Sequence, residues 1–187
     1  MTKHRCNWCV GDSLYEAYHD EEWGVPIYDD ATLFEFLILE TFQAGLSWIT
    51  ILRKRENFRK AFNNLDYKKI ATYKQSKIDA LLQDAGIIRN KLKINATITN
   101  AQAFMKIQDE FGSFSTYVWN FVDGKPMKNK VENYKEAPAN TALSEALSKD
   151  LKKRGFKFVG STVVYAYMQA TGMVNDHERS CFRYNEV

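Results

Sequence analysis

Turn-forming residues are scarce in this sequence. Its 187 residues include only three prolines and nine glycines, and runs of β-branched residues are few. Tight turns between short strands depend on such residues, so the composition argues against a β-sandwich or β-barrel. The apolar residues instead recur with helical spacing along most of the chain.

Long hydrophobic runs are also missing. No stretch of eighteen apolar residues occurs, so no membrane-spanning helix is predicted. Polar residues follow Met1 at once, unlike the apolar core of a secretory signal peptide. We therefore expect a cytoplasmic protein with no membrane partner.

Cysteine is too rare for a disulfide framework. Three cysteines cannot all pair, so Cys6, Cys9 and Cys181 are interpreted as metal ligands or free thiols. The formal net charge of +3 is modest. It permits nucleic-acid binding without requiring it, because the clustering of charge counts for more than the total.

The pattern predicts an all-α protein of eight to ten helices without internal repeats. Asp12 and Ser13 are suited to capping a first helix, and an apolar helix follows Asp29. Residues 46–62 predict an amphipathic helix with Arg53, Lys54 and Arg55 exposed. The chain is long enough for one domain, or for two small helical lobes that share a cleft.

Two pairs of residues suited to zinc lie at opposite ends of the chain. Cys6 and His19 are near the start, and His177 and Cys181, four residues apart, would share one helix face. A Cys₂His₂ set makes a closed structural zinc site. Spacing alone does not establish one, since a lone histidine is usually structural and Cys9 could compete as a thiolate ligand.

Residues 152–162 (KKRGFKFVGST) place a basic helix end before a glycine-flanked turn and a new helix. A helix N-terminus has unpaired N–H groups, and glycine lets a phosphate approach the backbone. On composition alone, an ordinary helix–helix connection with solvated lysines is favoured.

The first fifty residues contain an aromatic and acidic cluster. Aromatic residues at helical spacing usually form core, but Glu40 lies within the apolar run 36–42. A carboxylate there is either at the solvent edge of its helix or buried with a partner. The cluster consists of Trp8, Tyr15, Tyr18, Trp23, Glu40 and Trp48.

Several of these segments resemble a known superfamily. Three parts of the chain resemble the helix-hairpin-helix DNA glycosylases. They are residues 158–172 followed by 175–177, residues 86–94 (GIIRNKLKI) and residues 39–48 (LETFQAGLSW). Within this superfamily, four segments resemble the family of constitutive bacterial 3-methyladenine DNA glycosylases. These segments are residues 17–26 (AYHDEEWGVP), 43–50, 152–160 and 175–177. The resemblance extends over nearly the whole chain.

The resemblance implies a single helix-hairpin-helix glycosylase domain, residues 1–187, with a base pocket between two helical lobes. It implies base-excision repair: flipping of 3-methyladenine out of double-stranded alkylated DNA, hydrolysis, and release of the free base. Ser161 stands where related lyases carry a lysine, so a monofunctional enzyme is expected. Asp176 lies too early to match the catalytic aspartate of other members, and Ala166 replaces a hydroxyl residue of a relative.

The resemblance also assigns roles to individual residues. Glu40 is the catalytic or base-recognising carboxylate, Tyr18 and Trp48 stack on the base, and Leu46 is a wedge into the duplex. The remaining base contacts are assigned to Trp8, Tyr15, Trp23 and Gln43. Phosphate contacts are assigned to Lys157, Gly160, Ser161 and Thr162, with Lys91 and Lys93 as lesser candidates.

The same resemblance selects Cys6, His19, His177 and Cys181 as ligands of one structural zinc ion and leaves Cys9 out. A monomer is expected. Two alternatives remain: a zinc-stabilised helical DNA-binding module without catalysis, and a glycosylase for a different, bulkier alkylated purine.

Overall fold

The computed structural model describes residues 3–187, and this part of the chain contains nine α-helices. The predicted all-helical fold is thereby confirmed, with one two-stranded sheet added. The helices are α1 (Ser13–Glu21), α2 (Asp30–Gln43), α3 (Trp48–Ala61), α4 (Tyr67–Ile70), α5 (Gln75–Gln83), α6 (Lys91–Phe111), α7 (Phe114–Trp119), α8 (Ala142–Lys153) and α9 (Ser161–Ala170). Short 3₁₀ turns lie at Asn7–Cys9, Asn120–Val122, Tyr134–Glu136 and Phe182–Asn185.

Polar side chains determine where the helices begin. Asp12 accepts hydrogen bonds from the N–H groups of Leu14 and Tyr15, which confirms the predicted cap of α1. Asn90 caps α6 in the same way, and Thr141 forms a reciprocal capping box with Ser144 at the start of α8. Each such cap contributes about 1 kcal/mol by satisfying an otherwise unpaired N–H group.

Helix α2 is the centre of the core. Every residue from 36 to 42 is buried, and the helix packs against α3, α6, α7 and α9. Aromatic side chains pack against it: the ring centroids of Phe34, on α2, and Phe104 lie 5.1 Å apart, and those of Phe104 and Phe114 lie 4.2 Å apart. Because α2 is covered on several sides, a polar group within its buried segment, residues 36–42, is desolvated.

The two ends of the chain meet. The N–H of Phe182 donates to the carbonyl of His4 at 2.9 Å. Strand β1 (Met127–Lys128) pairs in parallel with β2 (Val174–Asn175), in register Met127 with Val174. This pairing fastens the loop segment after α7 to the C-terminal segment, and so holds Tyr134 near the N-terminus.

One predicted feature of α3 is wrong. Arg53 is exposed as expected, but Arg55 is buried, where it donates to Glu35 at 2.5 Å and to Glu22 at 2.6 Å. The reason is tertiary: this face of α3 lies against α1 and α2, and two carboxylates there compensate the buried guanidinium.

No helix among residues 3–187 is both long enough and apolar enough to span a bilayer.

Candidate functional site

A cavity of about 320 Å³ lies among α1, α2, α9 and the loop segments beside them. All seven residues predicted to contact a base, including Glu40, line this cavity. The full lining is Trp8, Tyr15, Tyr18, Trp23, Glu40, Gln43, Ser47, Trp48, Tyr134, Ala166 and Gln169. Its volume falls in the range of sites that hold small organic ligands.

The aromatic rings of the cavity support one another. The ring centroids of Tyr18 and Trp48 lie 5.4 Å apart at an interplanar angle of 45°. Phe36 stacks nearly parallel behind Trp48, at 6.5 Å and 15°. Trp8 contacts Tyr15 edge-on at 4.7 Å. Such packing holds each ring in place, so the cavity presents rigid, electron-rich faces.

Glu40 is buried in this cavity without compensation. Its side chain is 3% exposed, and among the described residues Oε2 has no hydrogen-bond partner. Burial raises the pKa of Glu40 from its ordinary 4.5 to about 8. The sequence left two interpretations open for Glu40, at the solvent edge of its helix or buried with a partner. The structure shows it buried, but Oε2 has no partner among the described residues.

Two further polar atoms of the cavity lack partners in the described part of the chain. The indole Nε1 groups of Trp8 and Trp48 are buried and form no hydrogen bond. Buried polar groups are normally paired, so three unpaired groups around one cavity indicate a site that binds a polar ligand. A ligand that fits would be flat, to enter between rings, and would carry both donors and acceptors.

The sequence predicts no role for three cavity residues, Ser47, Tyr134 and Gln169. Tyr134 reaches the cavity from the 3₁₀ turn Tyr134–Glu136, and no local pattern in the sequence marks it. Gln169 lies on α9 one turn after Ala166. The spacing of Ala166 and Gln169 on one helix face is the only local signal for it.

The loop between α2 and α3 holds Leu46 exposed. Gly45 has φ +84°, a left-handed conformation that favours glycine, and the N–H of Leu46 donates to the carbonyl of Gln43 at 2.6 Å. Leu46 is 41% exposed, which is unusual for a large apolar side chain. The loop therefore presents an apolar tip beside the cavity residues Gln43 and Ser47.

Lys93 stabilises this loop and is not a surface cation. Its Nζ donates to the carbonyls of Phe42 at 2.8 Å and Ala44 at 2.7 Å, and the residue is buried. The prediction that Lys93 contacts phosphate is thus wrong, because its ammonium group is used at the C-terminus of α2. Lys91, two residues earlier in the chain, is exposed.

The connection between α8 and α9 is held rigidly at two points. Asn100 of α6 pairs with both backbone groups of Lys157, at 2.8 and 3.1 Å, and Ser148 Oγ donates to the carbonyl of Val159 at 2.6 Å. No side chain caps the first N–H groups of α9 at Gly160. With Lys157 and Thr162 exposed and Ser161 partly exposed, these N–H groups are available to an anion.

The four predicted zinc ligands are brought together. The ligand atoms of Cys6, His19, His177 and Cys181 all lie within 4.8 Å of one another, and all four residues are buried. The Sγ of Cys181 is 3.4 Å from His19 Nε2 and 3.7 Å from His177 Nδ1, and Cys6 Sγ is 3.6 Å from the same Nδ1. Tetrahedral zinc with thiolate and imidazole ligands requires separations of about 3.5 Å.

The groups around these ligands also suit a metal. His19 Nδ1 lies 2.8 Å from Asp20, and His177 Nε2 lies 3.1 Å from the carbonyl of Trp23. Each imidazole therefore has its second nitrogen occupied, which leaves the nitrogen that faces the thiols free to bind an ion. Cys9 lies outside the group, with its Sγ donating to the carbonyl of Cys6 at 3.1 Å.

These features define a class of protein: a helical protein with a rigid aromatic pocket for a flat polar ring and, nearby, an exposed helix N-terminus suited to phosphate. Comparison with known proteins identifies the family. The sequence model of the family described as "Methyladenine glycosylase" matches residues 8–184. The chain therefore belongs to the methyladenine glycosylase family.

Individual relatives agree with this assignment. The chain is 50% identical over 180 residues to DNA-3-methyladenine glycosylase 1 of Escherichia coli (strain K12), covering 96% of each chain. It is similar to a crystal structure of 3-methyladenine DNA glycosylase I, with TM-score 0.93, 50% identity, and coverage of 96% of this chain and 98% of that one. A Staphylococcus aureus structure, solved to explain 3-methyladenine recognition, has TM-score 0.92 at 37% identity and covers 95% of each chain.

Proposed function

We propose that this protein is a DNA glycosylase that removes 3-methyladenine from double-stranded alkylated DNA and releases the free base. The observation that carries the proposal is the aromatic cavity with the buried, unpaired carboxyl group of Glu40. The relatives whose names carry this activity support the choice of lesion.

Charge explains how such a cavity selects the damaged base. Adenine methylated at N3 carries a positive charge while it is still attached to deoxyribose. A cation that stacks on the faces of Tyr18 and Trp48 lining the cavity gains about 2 kcal/mol or more when water is excluded. The same cation favours the ionised form of Glu40, whereas neutral adenine does not.

Base excision requires that the nucleotide leave the duplex. We propose that the exposed Leu46 fills the gap in the stack while the base enters the cavity, and that Gln43 contacts the base or the gap. Unstacking costs a few kcal/mol and costs least for damaged bases. Phosphates would be held by Lys157 and by the backbone at Gly160, Ser161 and Thr162, as in a helix-hairpin-helix, with Lys91 as a lesser contact.

The chemical step is proposed to be hydrolysis. Water attacks C1′ of deoxyribose as the methylated base departs, neutral, with the electrons of the glycosidic bond. The attacking water gives up one proton to the solvent and becomes the hydroxyl group at C1′. Glu40 stabilises the positive charge of the base–sugar unit, and the base is already a good leaving group. Ser161 provides no amine for a Schiff base, so the enzyme would be monofunctional, without strand cleavage.

Zinc is proposed to be structural. Cys6, His19, His177 and Cys181 would hold one ion, and four protein ligands leave no position for a catalytic water. The ion would join both ends of a single domain and hold the aromatic segment 8–23 beside the cavity. The domain is proposed to consist of two helical lobes with the base pocket between them. The protein is proposed to be a monomer.

The direct test is incubation of the protein with methylated duplex DNA and identification of the released base. Release of 3-methyladenine, with strand cleavage only after alkali, is expected, together with strong loss of release in Glu40→Gln. DNA binding without base release would instead identify a non-catalytic DNA-binding module. Equal release of bulkier adducts would identify a glycosylase for a different lesion.

A further inference from the structure

Gln169 places an amide at the wall of the cavity. The side chain is 6% exposed and lines the cavity together with Glu40 and Tyr134. A buried amide offers either two donor hydrogens or an acceptor oxygen to a ligand, depending on its orientation. What orients this amide therefore decides what it can recognise.

Asp176 determines that orientation. Its carboxylate is buried and accepts from Tyr165 OH at 2.6 Å, Asn129 Nδ2 at 2.6 Å and Gln169 Nε2 at 2.8 Å. A carboxylate that accepts can be satisfied only by the NH₂ end of Gln169. The oxygen Oε1 must then face away from Asp176. It accepts a long hydrogen bond, 3.4 Å, from the hydroxyl of Tyr134, another cavity residue, and its second lone pair is left for a ligand.

The same contacts exclude a different role for Asp176. Both of its oxygens are engaged by protein donors, Oδ1 by Asn129 and Oδ2 by Tyr165 and Gln169. It does not line the aromatic cavity. Asp176 is therefore poorly placed to activate water at a sugar, but well placed to lock the amide next to it.

We propose that Gln169 is a second base-reading residue, whose Oε1 accepts a hydrogen bond from the exocyclic amino group of the base, and that Asp176 is the positioning residue that maintains this orientation. The inference rests on the proposed function and adds a specificity determinant to it. Adenine has an amino group at position 6, whereas guanine and hypoxanthine have a carbonyl there. A carbonyl oxygen at position 6 would face the Gln169 oxygen. Because both are hydrogen-bond acceptors, they repel each other, and binding of guanine or hypoxanthine is disfavoured.

The test compares two free bases, 3-methyladenine and 3-methylhypoxanthine. They carry an amino group and a carbonyl at position 6, respectively, and the carbonyl form also carries a proton on one ring nitrogen. Binding is followed by calorimetry or by quenching of the tryptophans in the cavity. The wild type should bind 3-methyladenine at least about tenfold more tightly. Gln169→Met, which keeps the length of the side chain, should lose most of that preference, chiefly through weaker 3-methyladenine binding.

Asp176→Asn tests the positioning role. It should weaken 3-methyladenine binding in the wild-type background and have little further effect in Gln169→Met, because the amide it orients is then absent. A merely structural Asp176 would weaken binding equally in both backgrounds. Tyr165→Phe, which removes a donor to Asp176 and leaves Gln169 intact, is the control for general disturbance of this region.

The outcomes separate this inference from the proposed function. If wild type releases 3-methyladenine from DNA but does not prefer it over 3-methylhypoxanthine, only the role of Gln169 is wrong, and this measurement needs no variant to fold. Equal losses for both bases in Gln169→Met would show packing rather than recognition. Failure of the wild type to release any base would overturn the proposed function itself.

Discussion

Replacing Glu40 with glutamine should make this protein more stable at neutral and alkaline pH while reducing its activity. The carboxyl group is 3% exposed, and Oε2 has no partner among the described residues, so ionisation in the folded protein is unfavourable. Glutamine has nearly the same shape and never ionises. The variant therefore removes a cost that the wild type carries for function.

The magnitude follows from the pKa of Glu40, which burial raises from 4.5 to about 8. A raised pKa favours the protonated form in the fold, so stability is greatest below pH 4.5 and falls as pH rises through about 8. At about 1.4 kcal/mol per pKa unit, the full loss is about 5 kcal/mol. About 1 kcal/mol of it is already present at pH 5, which leaves about 4 kcal/mol between pH 5 and pH 9.

Urea unfolding of wild type and Glu40→Gln from pH 5 to pH 9 measures this contribution. The difference between the two free energies of unfolding isolates Glu40, because other groups titrate alike in both proteins. It should grow by about 4 kcal/mol in favour of the variant. Glu145→Gln, at an exposed position on α8, is the matched control and should show no such growth.

A difference that stays constant across this pH range would refute the reasoning. It would mean that Glu40 is solvated or paired in the folded protein. The carboxyl group would then not be a buried, unpaired group available to a cationic base. Loss of activity in the variant would then require another explanation.

Three further predictions concern other parts of the site. In wild type, kcat/KM for excision should rise with pH up to about 8, because kcat/KM reports the ionisation of groups in the free enzyme, and it should not change with pH in Glu40→Gln. A wild-type kcat/KM that does not change with pH would show that the ionised carboxylate has no role. We expect metal analysis of the wild type to find one equivalent of zinc, and Cys181→Ser should eliminate it and lower Tm by about 10 °C, with little change in base affinity at a temperature where the variant is folded. A variant that keeps its stability would argue against a structural ion. Lys93→Met should reduce excision from duplex DNA about tenfold, because it frees the loop that carries Leu46, while binding of free 3-methyladenine is retained. Equal losses of excision and of base binding would show that the substitution acts on the cavity instead.

Local signals are sufficient for the helical framework. Helical spacing of apolar residues depends only on the chain itself, and caps such as Asp12 and Thr141 act on N–H groups two or three residues away. The motifs around Glu40 and residues 158–162 are long enough to indicate the family from the sequence alone.

The tertiary structure decided which polar groups are paired. The sequence predicts Arg55 and Lys93 at the surface, but Arg55 lies between two glutamates and Lys93 holds the end of α2. Tyr134 and Gln169 enter the cavity only because strand pairing and α9 packing bring distant segments together. By itself, the sequence determined the helices, since their hydrogen bonds join near neighbours; the desolvation of Glu40 depends on residues far away in the chain, so only the folded structure could decide it.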